Sequence, residues 1–373
     1  MFLALKEMRR APVRFGLLMA AIALLAFLIL FQYTLQNGLI TAFVGAIRNQ
    51  SAPVLVYSVD GQRTLQGSVI TPAMQATVAG VSGVGRSGRI GQSTFTVTAK
   101  GKLTDATVFG YDAEGLGSPT TLAAGRLAAA PGEVVASSAD AGDGFAVGDT
   151  LRVEPGGYQL TVVGQADDIQ LNVAPTLFGS FDTYAASLAA RNPDALAPLP
   201  SALAVEPAPG VSAGEVAAAI TAASDDIEAF TKADAADKTP GVSQVRSSFL
   251  VIFLLYGLVV PLLTGLFFLI ITFQKAGALT LLRAVGAPAG RLVRSLLVQV
   301  LIVMLVGVGA GVALYAPIAT RRLGGIPLRF ETGAVVFWTV LLVGFGVVSS
   351  LVSARRVLRI DPIAATTGAG VSA

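Results

Sequence analysis

The sequence predicts a membrane protein with four transmembrane α-helices and one large α+β extracytoplasmic domain between helices 1 and 2. Of its 373 residues, 53% are hydrophobic and only 13% are charged, whereas soluble domains carry about 25% charged residues. Four long apolar runs occur along the chain, and about 20 such residues suffice for a helix to cross the hydrocarbon core. A mixed segment, 38–247, separates the first two runs and is long enough to fold as a domain.

The limits of the apolar runs divide the chain. We predict transmembrane helix 1 at the end of 1–37, the outside domain over 38–247, and further helices over 248–273, 294–318 and 333–353. The connections are 274–293 and 319–332, and the tail is 354–373. The first run is longer than the apolar core of a signal peptide, which has about 7–15 residues, so we expect it to remain as a helix.

Charge predicts the orientation, because lysine and arginine concentrate in cytoplasmic loops. The N-terminal tail, the 274–294 segment and the C-terminal tail hold 11 basic and 2 acidic residues, whereas 38–247 holds 12 basic and 20 acidic ones. The three arginines of 319–332 favour the opposite orientation, but they are fewer than the basic residues of the other three segments. We therefore expect both termini in the cytoplasm and the large domain outside. The net charge of +3 then reflects membrane orientation, and no nucleic-acid partner is expected.

Local patterns within 38–247 predict mixed secondary structure. Alternating apolar residues predict strands in STFTVTAKG, EVVASS, DTLRVE and YQLTVVGQ. The last two form a predicted hairpin around Pro155, Gly156 and Gly157. The alanine-rich stretch 214–238 is typical of a helix, and the glycine- and serine-rich stretch 78–93 is typical of a flexible, solvated loop.

The composition excludes several kinds of chemistry. With no cysteine and no histidine, the chain has no disulfide, no metal site built from these residues and no serine–histidine triad. It has no G-x-x-x-x-G-K-[ST] phosphate loop and therefore does not hydrolyse ATP by that mechanism. The predicted spans contain no acidic residue, which argues against a proton or ion relay.

The connection 274–293 is basic but also carries apolar residues. Its stretch ALTLLRAVGAP predicts about two helical turns, ended by Gly286 and Pro288. A short helix with one apolar and one basic face either lies in the lipid headgroup layer or fills a groove on a cytoplasmic partner. The residues alone leave both uses open.

A family resemblance favours the groove. The stretch KAGALTLLRAVGAPAGRLVRSLLVQ resembles the coupling-helix region of the FtsX/MacB-type (type VII) permeases of ABC transporters, and RRVLRIDPIAA is similar to the C-terminal signature of that family. The matching residues are Gly277, Arg283, Ala284, Val285, Gly286, Ala287, Arg356, Ile360, Asp361, Pro362 and Ala365. Lys275 stands where the family usually has an acid. The N-terminus and TPGVSQVRSSFLVIFLLY resemble the HrtB (haem efflux) and DevC (glycolipid export) subgroup, HrtB above all.

The resemblance implies a permease subunit that is not itself an enzyme and has no intrinsic cofactor. It implies a homodimer in the lipid of a bacterial plasma membrane, with two copies of a separate ABC ATPase that binds ATP-Mg. This ATPase would contact Leu279, Leu281, Leu282, Arg283, Val285 and Gly286. The implied activity is export of haem or a similar amphiphile, taken sideways from the bilayer. The alternatives are an FtsX-like transmitter that regulates a cell-wall enzyme, or a glycolipid or lipoprotein exporter.

Haem chemistry selects candidate substrate residues. In this chain the haem iron could be bound only by Tyr, Met or a carboxylate. The haem ring would require apolar walls, and its propionates would require a cation. The candidates are Tyr33 and Tyr256 as ligands, Phe31 and Phe249 as walls, Gln32 as a polar neighbour, Arg246 for a propionate, and Glu228 as a carboxylate. Competing interpretations are an aromatic-belt role for Tyr33, helix packing for Tyr256, and an ordinary flanking charge for Arg246.

Two further features concern the helices. Pro261 should weaken or kink the second span, either as a hinge or as a kink that neighbouring helices tolerate. The stretch GVGAG, 307–311, contains a G-x-x-x-G spacing that permits close helix packing. That packing lies either within one chain or between two copies.

Overall fold

The computed structural model describes residues 11–112, 115–194, 197–274, 289–323 and 325–358. The chain forms two compact units. The helical unit consists of the described parts of Met1–Gln36, Ser248–Arg321 and Leu328–Ala373, and the mixed unit consists of those of Asn37–Ser247 and Arg322–Pro327.

The described helices are α1 (Pro12–Asn49), α2 (Pro72–Ala79), α3 (Phe181–Arg191), α4 (Ala213–Ala223), α5 (Lys232–Lys238), α6 (Val242–Gln274), α7 (Ala289–Tyr315) and α8 (Thr332–Leu358). The strands are β1 (Val54–Ser58), β2 (Val84–Ala99), β3 (Lys102–Tyr111), β4 (Ala124–Gly125), β5 (Glu133–Ser137), β6 (Thr150–Val153), β7 (Tyr158–Ala166), β8 (Thr176–Ser180), β9 (Ala202–Pro207), β10 (Ile227–Thr231), β11 (Arg322–Leu323) and β12 (Ile326–Pro327).

Four of the described helices, α1, α6, α7 and α8, are long and apolar enough to cross a membrane. Their limits differ from those of the apolar runs. Helix α1 does not stop near residue 37 but continues to Asn49, because the residues that follow are still apolar and Ile40, Val44 and Ile47 are buried in the core of the mixed unit. Helix α6 likewise begins at Val242, ahead of the apolar run that starts near residue 248.

The glycines of GVGAG pack α7 against α1. A Cβ on Gly307 would lie 2.8 Å from a side-chain carbon of Ile22, and one on Gly311 would lie 2.6 Å from the carbonyl oxygen of Ala23. Around Gly309 there is open space. The G-x-x-x-G spacing therefore serves a contact within the chain, one of the two predicted possibilities.

The mixed unit is built on one sheet of ten strands. Its order is β10-β1-β9-β2-β3-β8-β5-β7-β4, and β6 pairs with both β2 and β7. Because of that double pairing, β2, β3, β8, β5, β7 and β6 close into a ring, and alternate side chains fill its interior with a buried apolar cluster. Helices α2 and α4 cover a second cluster on strands β1, β9 and β10. The predicted hairpin is confirmed, with Val153 opposite Tyr158.

The prediction of a flexible loop over 78–93 is wrong, because β2 begins at Val84 and pairs with β9 and β3. Its glycines permit close packing and do not create flexibility. A Cβ on Gly91 would overlap the ring of Tyr184 in α3. The arginines of this stretch are held by carboxylates, Arg89 by Asp112 at 2.8 Å and Arg86 by Glu206.

The prediction of one helix over 214–238 is also wrong. Strand β10 separates α4 from α5. Ile227 and Ala229 face the apolar cluster under α4, and the strand pairs with β1 along five residue pairs. Tertiary pairing with a distant strand thus overrides the local helical preference of the alanine-rich sequence.

The glycine contact yields a matched pair of variants. We expect Gly311→Ala to destabilise the helical unit by about 1–3 kcal/mol, because the added methyl group overpacks the contact with α1. Gly309→Ala is the control and should be neutral or slightly stabilising, since nothing lies near it. Thermal unfolding of the detergent-solubilised protein measures both. Equal midpoints for the two variants would show that α1 and α7 do not meet at this glycine.

Candidate functional site

The end of α1 is joined to the mixed unit through its backbone. Val44 has non-helical angles, φ −131° and ψ 16°. The freed carbonyl oxygens of Ala42 and Phe43 accept hydrogen bonds from the backbone N–H groups of Val173 (2.8 Å) and Asn172 (3.0 Å). Ala46 N–H donates in turn to the carbonyl oxygen of Gln170 (3.0 Å). The helix end is thus paired with the 170–173 turn in the manner of a short strand.

Gly45 makes this approach possible. A Cβ at this position would overlap the carbonyl oxygen of Asp168. That carbonyl also accepts a hydrogen bond from the side-chain nitrogen of Asn49 (2.6 Å). Helix α1 therefore ends in a fixed position relative to the 168–173 turn.

A shared carboxylate links the end of α1 to the start of α6. Asp237 accepts hydrogen bonds from Arg48 (2.9 Å) and Arg246 (3.0 Å). Arg48 lies in the last turn of α1, and Arg246 lies near the first turn of α6. We call this group the Asp237 clamp. Burial alone would raise the pKa of Asp237, but the hydrogen bonds from Arg246 and Arg48 outweigh it, and the pKa lies below its usual value.

In the helical unit, the predicted residues Tyr33 and Phe249 meet on a ring that the sequence analysis missed. Phe253 lies 6.4 Å from Tyr33 and 6.5 Å from Phe249, measured between ring centroids. Its other neighbour is Trp338 of α8, at 5.2 Å. The four residues form an aromatic cluster between α1, α6 and α8. The role of Phe249 as a wall for a flat ligand stays a prediction.

The other candidates of the helical unit lie elsewhere. Phe31 stacks on Phe27, at 5.9 Å between centroids. Gln32 is half-buried on α1. Tyr256 packs against the apolar core of the helices, which agrees with its helix-packing interpretation. Helix α1 also makes a buried polar contact, a hydrogen bond between the hydroxyls of Thr34 and Tyr315 (2.5 Å).

The two charged candidates of the mixed unit have partners within that unit. Glu228 on β10 accepts two hydrogen bonds from Arg63, at 2.9 and 3.2 Å. The hydrogen bond from Arg63 lowers the pKa of Glu228, so this carboxylate stays ionised and paired. Arg246 is engaged in the Asp237 clamp. A ligand would have to compete with these ion pairs for either side chain.

Pro261 lies inside α6, which continues on both sides of it. The hydroxyl of Ser349 in α8 donates to the carbonyl oxygen of Pro261 (2.7 Å), and that of Thr264 donates to the carbonyl of Val260 (2.8 Å). Such hydroxyls help to accommodate proline in apolar helices. The arrangement fits the interpretation that neighbouring side chains support Pro261, and its role as a hinge stays a prediction.

The predicted ATPase contacts fall outside the described residues. Leu279, Leu281, Leu282, Arg283, Val285 and Gly286 all belong to 275–288, between α6 and α7. The same holds for the tail residues Ile360, Asp361, Pro362 and Ala365.

Sequence reasoning also missed Asp237 and Arg48. The spacing of nine residues between Asp237 and Arg246, one on each side of the Thr239-Pro240-Gly241 break, was a usable signal for a local ion pair. Nothing in the sequence pointed to Arg48 as the second partner, because 189 positions separate it from Asp237.

The family described as MacB-like periplasmic core domain matches residues 15–223. A protein described as a candidate permease of a hemin transport system, HrtB from Staphylococcus epidermidis, is 23% identical over 148 residues, which cover 40% of this chain and 40% of that protein. The predicted resemblance to the FtsX/MacB-type permeases is confirmed. The match to HrtB reaches less than half the length of that relative.

Two solved structures are similar in part. The periplasmic region of MacB from Actinobacillus actinomycetemcomitans is 14% identical, with 50% of this chain and 91% of that chain covered and a TM-score of 0.36. The extracellular domain of the transporter YknZ from Gram-positive bacteria is also 14% identical, with 48% and 99% covered and a TM-score of 0.34.

The Asp237 clamp predicts a pH-dependent effect. We expect Asp237→Asn to destabilise the mixed unit by about 1 kcal/mol or less, because the clamp is partly exposed. Since the folded pKa lies below the ordinary value of about 3.9, the stabilisation is complete at neutral pH and is lost as the pH falls through the folded value. Thermal midpoints at neutral pH and near pH 3 measure this. Asp225→Asn, at an exposed turn, is the control. A deficit of equal size at both pH values would contradict the ionic role.

Proposed function

Since the chain belongs to the family of proteins with a MacB-like periplasmic core domain, we propose that it is the permease subunit of an ATP-driven ABC efflux pump. In this proposal a separate ATPase hydrolyses ATP-Mg in the cytoplasm, and this chain transmits its closure through the membrane to the mixed unit outside. The membrane is the plasma membrane of a bacterium, with both termini in the cytoplasm.

The observation that carries the proposal is the pairing of α1 and α6 at the Asp237 clamp. Both helices are long enough to span a membrane, and both extend into the mixed unit, α6 from Val242 and α1 to Asn49 across the kink at Val44. There Arg48 and Arg246 share one carboxylate. A displacement of either helix along its axis would therefore pull on the shared carboxylate and move the other helix and the strands beside α5.

The proposed substrate is haem or a similar flat amphiphile taken laterally from the bilayer. Its support is the aromatic cluster of Tyr33, Phe249, Phe253 and Trp338, together with the name of the HrtB relative. Tyr33, in this cluster, is the first proposed iron ligand, since the chain has neither histidine nor cysteine. Tyr256, which packs against the helical core outside the cluster, is proposed as the alternative ligand. Arg246 and Glu228 remain proposed as outer contacts that would exchange their present partners.

The proposed assembly is a homodimer in contact with lipid. On α6, large apolar side chains four residues apart are exposed along one face. They are Leu250, Leu254, Leu258, Leu262 and Leu266. In water such a stripe would be unfavourable, whereas lipid or the same helix of a second copy would cover it without cost.

The Asp237 clamp also fits an FtsX-like transmitter that regulates a cell-wall enzyme without transporting a substrate. Such a protein needs the same mechanical link between α1 and α6 but no haem site. Export of a glycolipid or lipoprotein is the remaining alternative. Haem binding separates the first proposal from both.

Leu282→Asp tests the coupling to an ATPase. We expect it to abolish co-purification of the ATPase with this chain, because an apolar contact in a partner groove is replaced by a charge that must be desolvated. Leu103→Asp, at an exposed position of β3, is the control and should leave the complex intact. An ATPase that remains bound with full activity to the Leu282→Asp variant would rule out this contact.

A haem titration tests the substrate. We expect the purified complex to shift the Soret band of added haem, and Tyr33→Phe or Tyr256→Phe to weaken binding by about tenfold or more, because a phenolate ligand is lost. Tyr111→Phe, in the mixed unit, is the control. A wild-type complex without a Soret shift would exclude haem, and unchanged binding in both variants would exclude the tyrosine site.

A further inference from the structure

A cavity of about 130 Å³ lies within the mixed unit. One water molecule needs at least roughly 10–15 Å³ of such space, so the cavity is large enough for several water molecules or a small organic molecule. Ile47, Leu65, Leu171 and Pro240 supply apolar surface. The remaining lining residues are Thr64, Gln66, Gln92, Asn172 and Thr239.

Gln92 is the unusual member of this lining. Its side chain is only 4% exposed, and neither its Nε2 nor its Oε1 atom has a hydrogen-bond partner among the described residues. Its backbone N–H, by contrast, is satisfied by the hydroxyl of Ser201 (3.1 Å). Buried side-chain amides are nearly always hydrogen-bonded, because an unpaired donor or acceptor retains its full desolvation cost.

The chemistry of the lining defines the ligand class. A carboxamide both donates and accepts, so its complement is a group with the same two capacities, such as an amide or a hydroxyl. The nine lining residues include no charged side chain, which disfavours anions and metal ions. Leu65 and Leu171 offer surface for a small apolar part such as a methyl group.

The position of the cavity connects it to the two helices of the Asp237 clamp. Ile47 belongs to the last turns of α1, and Thr239 and Pro240 directly precede α6. Leu171 and Asn172 belong to the turn that pairs with Val44 and Phe43 of α1. A molecule bound here would therefore contact both helix ends and the turn that holds one of them.

We propose that this cavity binds a small neutral molecule whose amide or hydroxyl group pairs with the Gln92 amide once that buried side chain has turned toward the cavity. The bound molecule then favours one arrangement of the ends of α1 and α6. The second half rests on the proposed function, since it makes the ligand a regulator of the ATPase cycle. Linkage then requires the reverse effect as well: the nucleotide state of the ATPase changes the affinity of the cavity.

Two neutral probes test the binding half, acetamide and N-methylacetamide. Saturation-transfer NMR on the full-length chain in lipid nanodiscs should detect at least one of them. Gln92→Leu should weaken that binding by about tenfold or more, whereas Thr96→Val, on the same face of β2 but outside the lining, should not. If neither probe binds, or Gln92→Leu binds as well as wild type, the cavity holds water only and the proposal is wrong.

Unfolding of the variant is excluded by a second measurement. Gln92→Leu replaces an unpaired amide by an apolar side chain of similar size, so its thermal midpoint should be equal to that of wild type or higher by about 2–4 °C. A large fall in the midpoint would show that the amide has a structural partner, which also contradicts the proposal.

The regulatory half is tested on the complex with its ATPase. A binding probe should change the rate of ATP hydrolysis at least twofold in wild type and not in Gln92→Leu. Binding without any change in rate would overturn regulation while leaving both the cavity site and the permease role intact. Failure of the permease role itself would appear separately, as a wild-type chain with which no ATPase co-purifies.

Discussion

The backbone pairing between 42–46 and the 170–173 turn is the constraint on which the mixed unit depends. A helix that ends inside a folded domain leaves carbonyl groups without partners, and burying them unpaired is costly. Here the non-helical Val44 turns two of these carbonyls toward the N–H groups of Asn172 and Val173. The end of α1 is thereby held by backbone atoms, at a distance that the absence of a side chain on Gly45 permits.

This pairing explains why the clamp and the cavity lie together. Once α1 is held beside the 168–173 turn, its last turn presents Arg48 to Asp237 and Ile47 to the cavity. The segment from α5 to α6 contributes Asp237 to the clamp and Thr239 and Pro240 to the cavity. Mechanical linkage and ligand binding would thus share one small set of contacts, which is how a bound molecule can bias a helix position.

Much of the architecture was predictable from local signals, and the errors have a common cause. Apolar length identified the four helices, and Pro155 to Gly157 identified a hairpin. The stretch 78–93 was misjudged because glycine occurs both in flexible loops and where another group packs closely on the backbone. Here the ring of Tyr184, from a later helix, packs on Gly91. Strand β10 was missed because its partner β1 lies about 170 residues earlier. In the aromatic cluster, the sequence singled out Tyr33 and Phe249, and the four-residue spacing from Phe249 could also have indicated Phe253. Trp338 and Arg48 depend on contacts between distant parts of the chain that no spacing reveals.

The closed ring of strands affects how copies of the protein behave when they are crowded in a membrane. Copies of a membrane protein meet in two dimensions with their outside domains side by side, where open strand edges invite exchange of strands between neighbours. In this sheet the ends of the path are β10 and the two-residue β4. Strand β10 carries Glu228, paired with Arg63, and a charge on an edge strand discourages further pairing. Crowding in the membrane should therefore leave neighbouring domains as separate folded bodies.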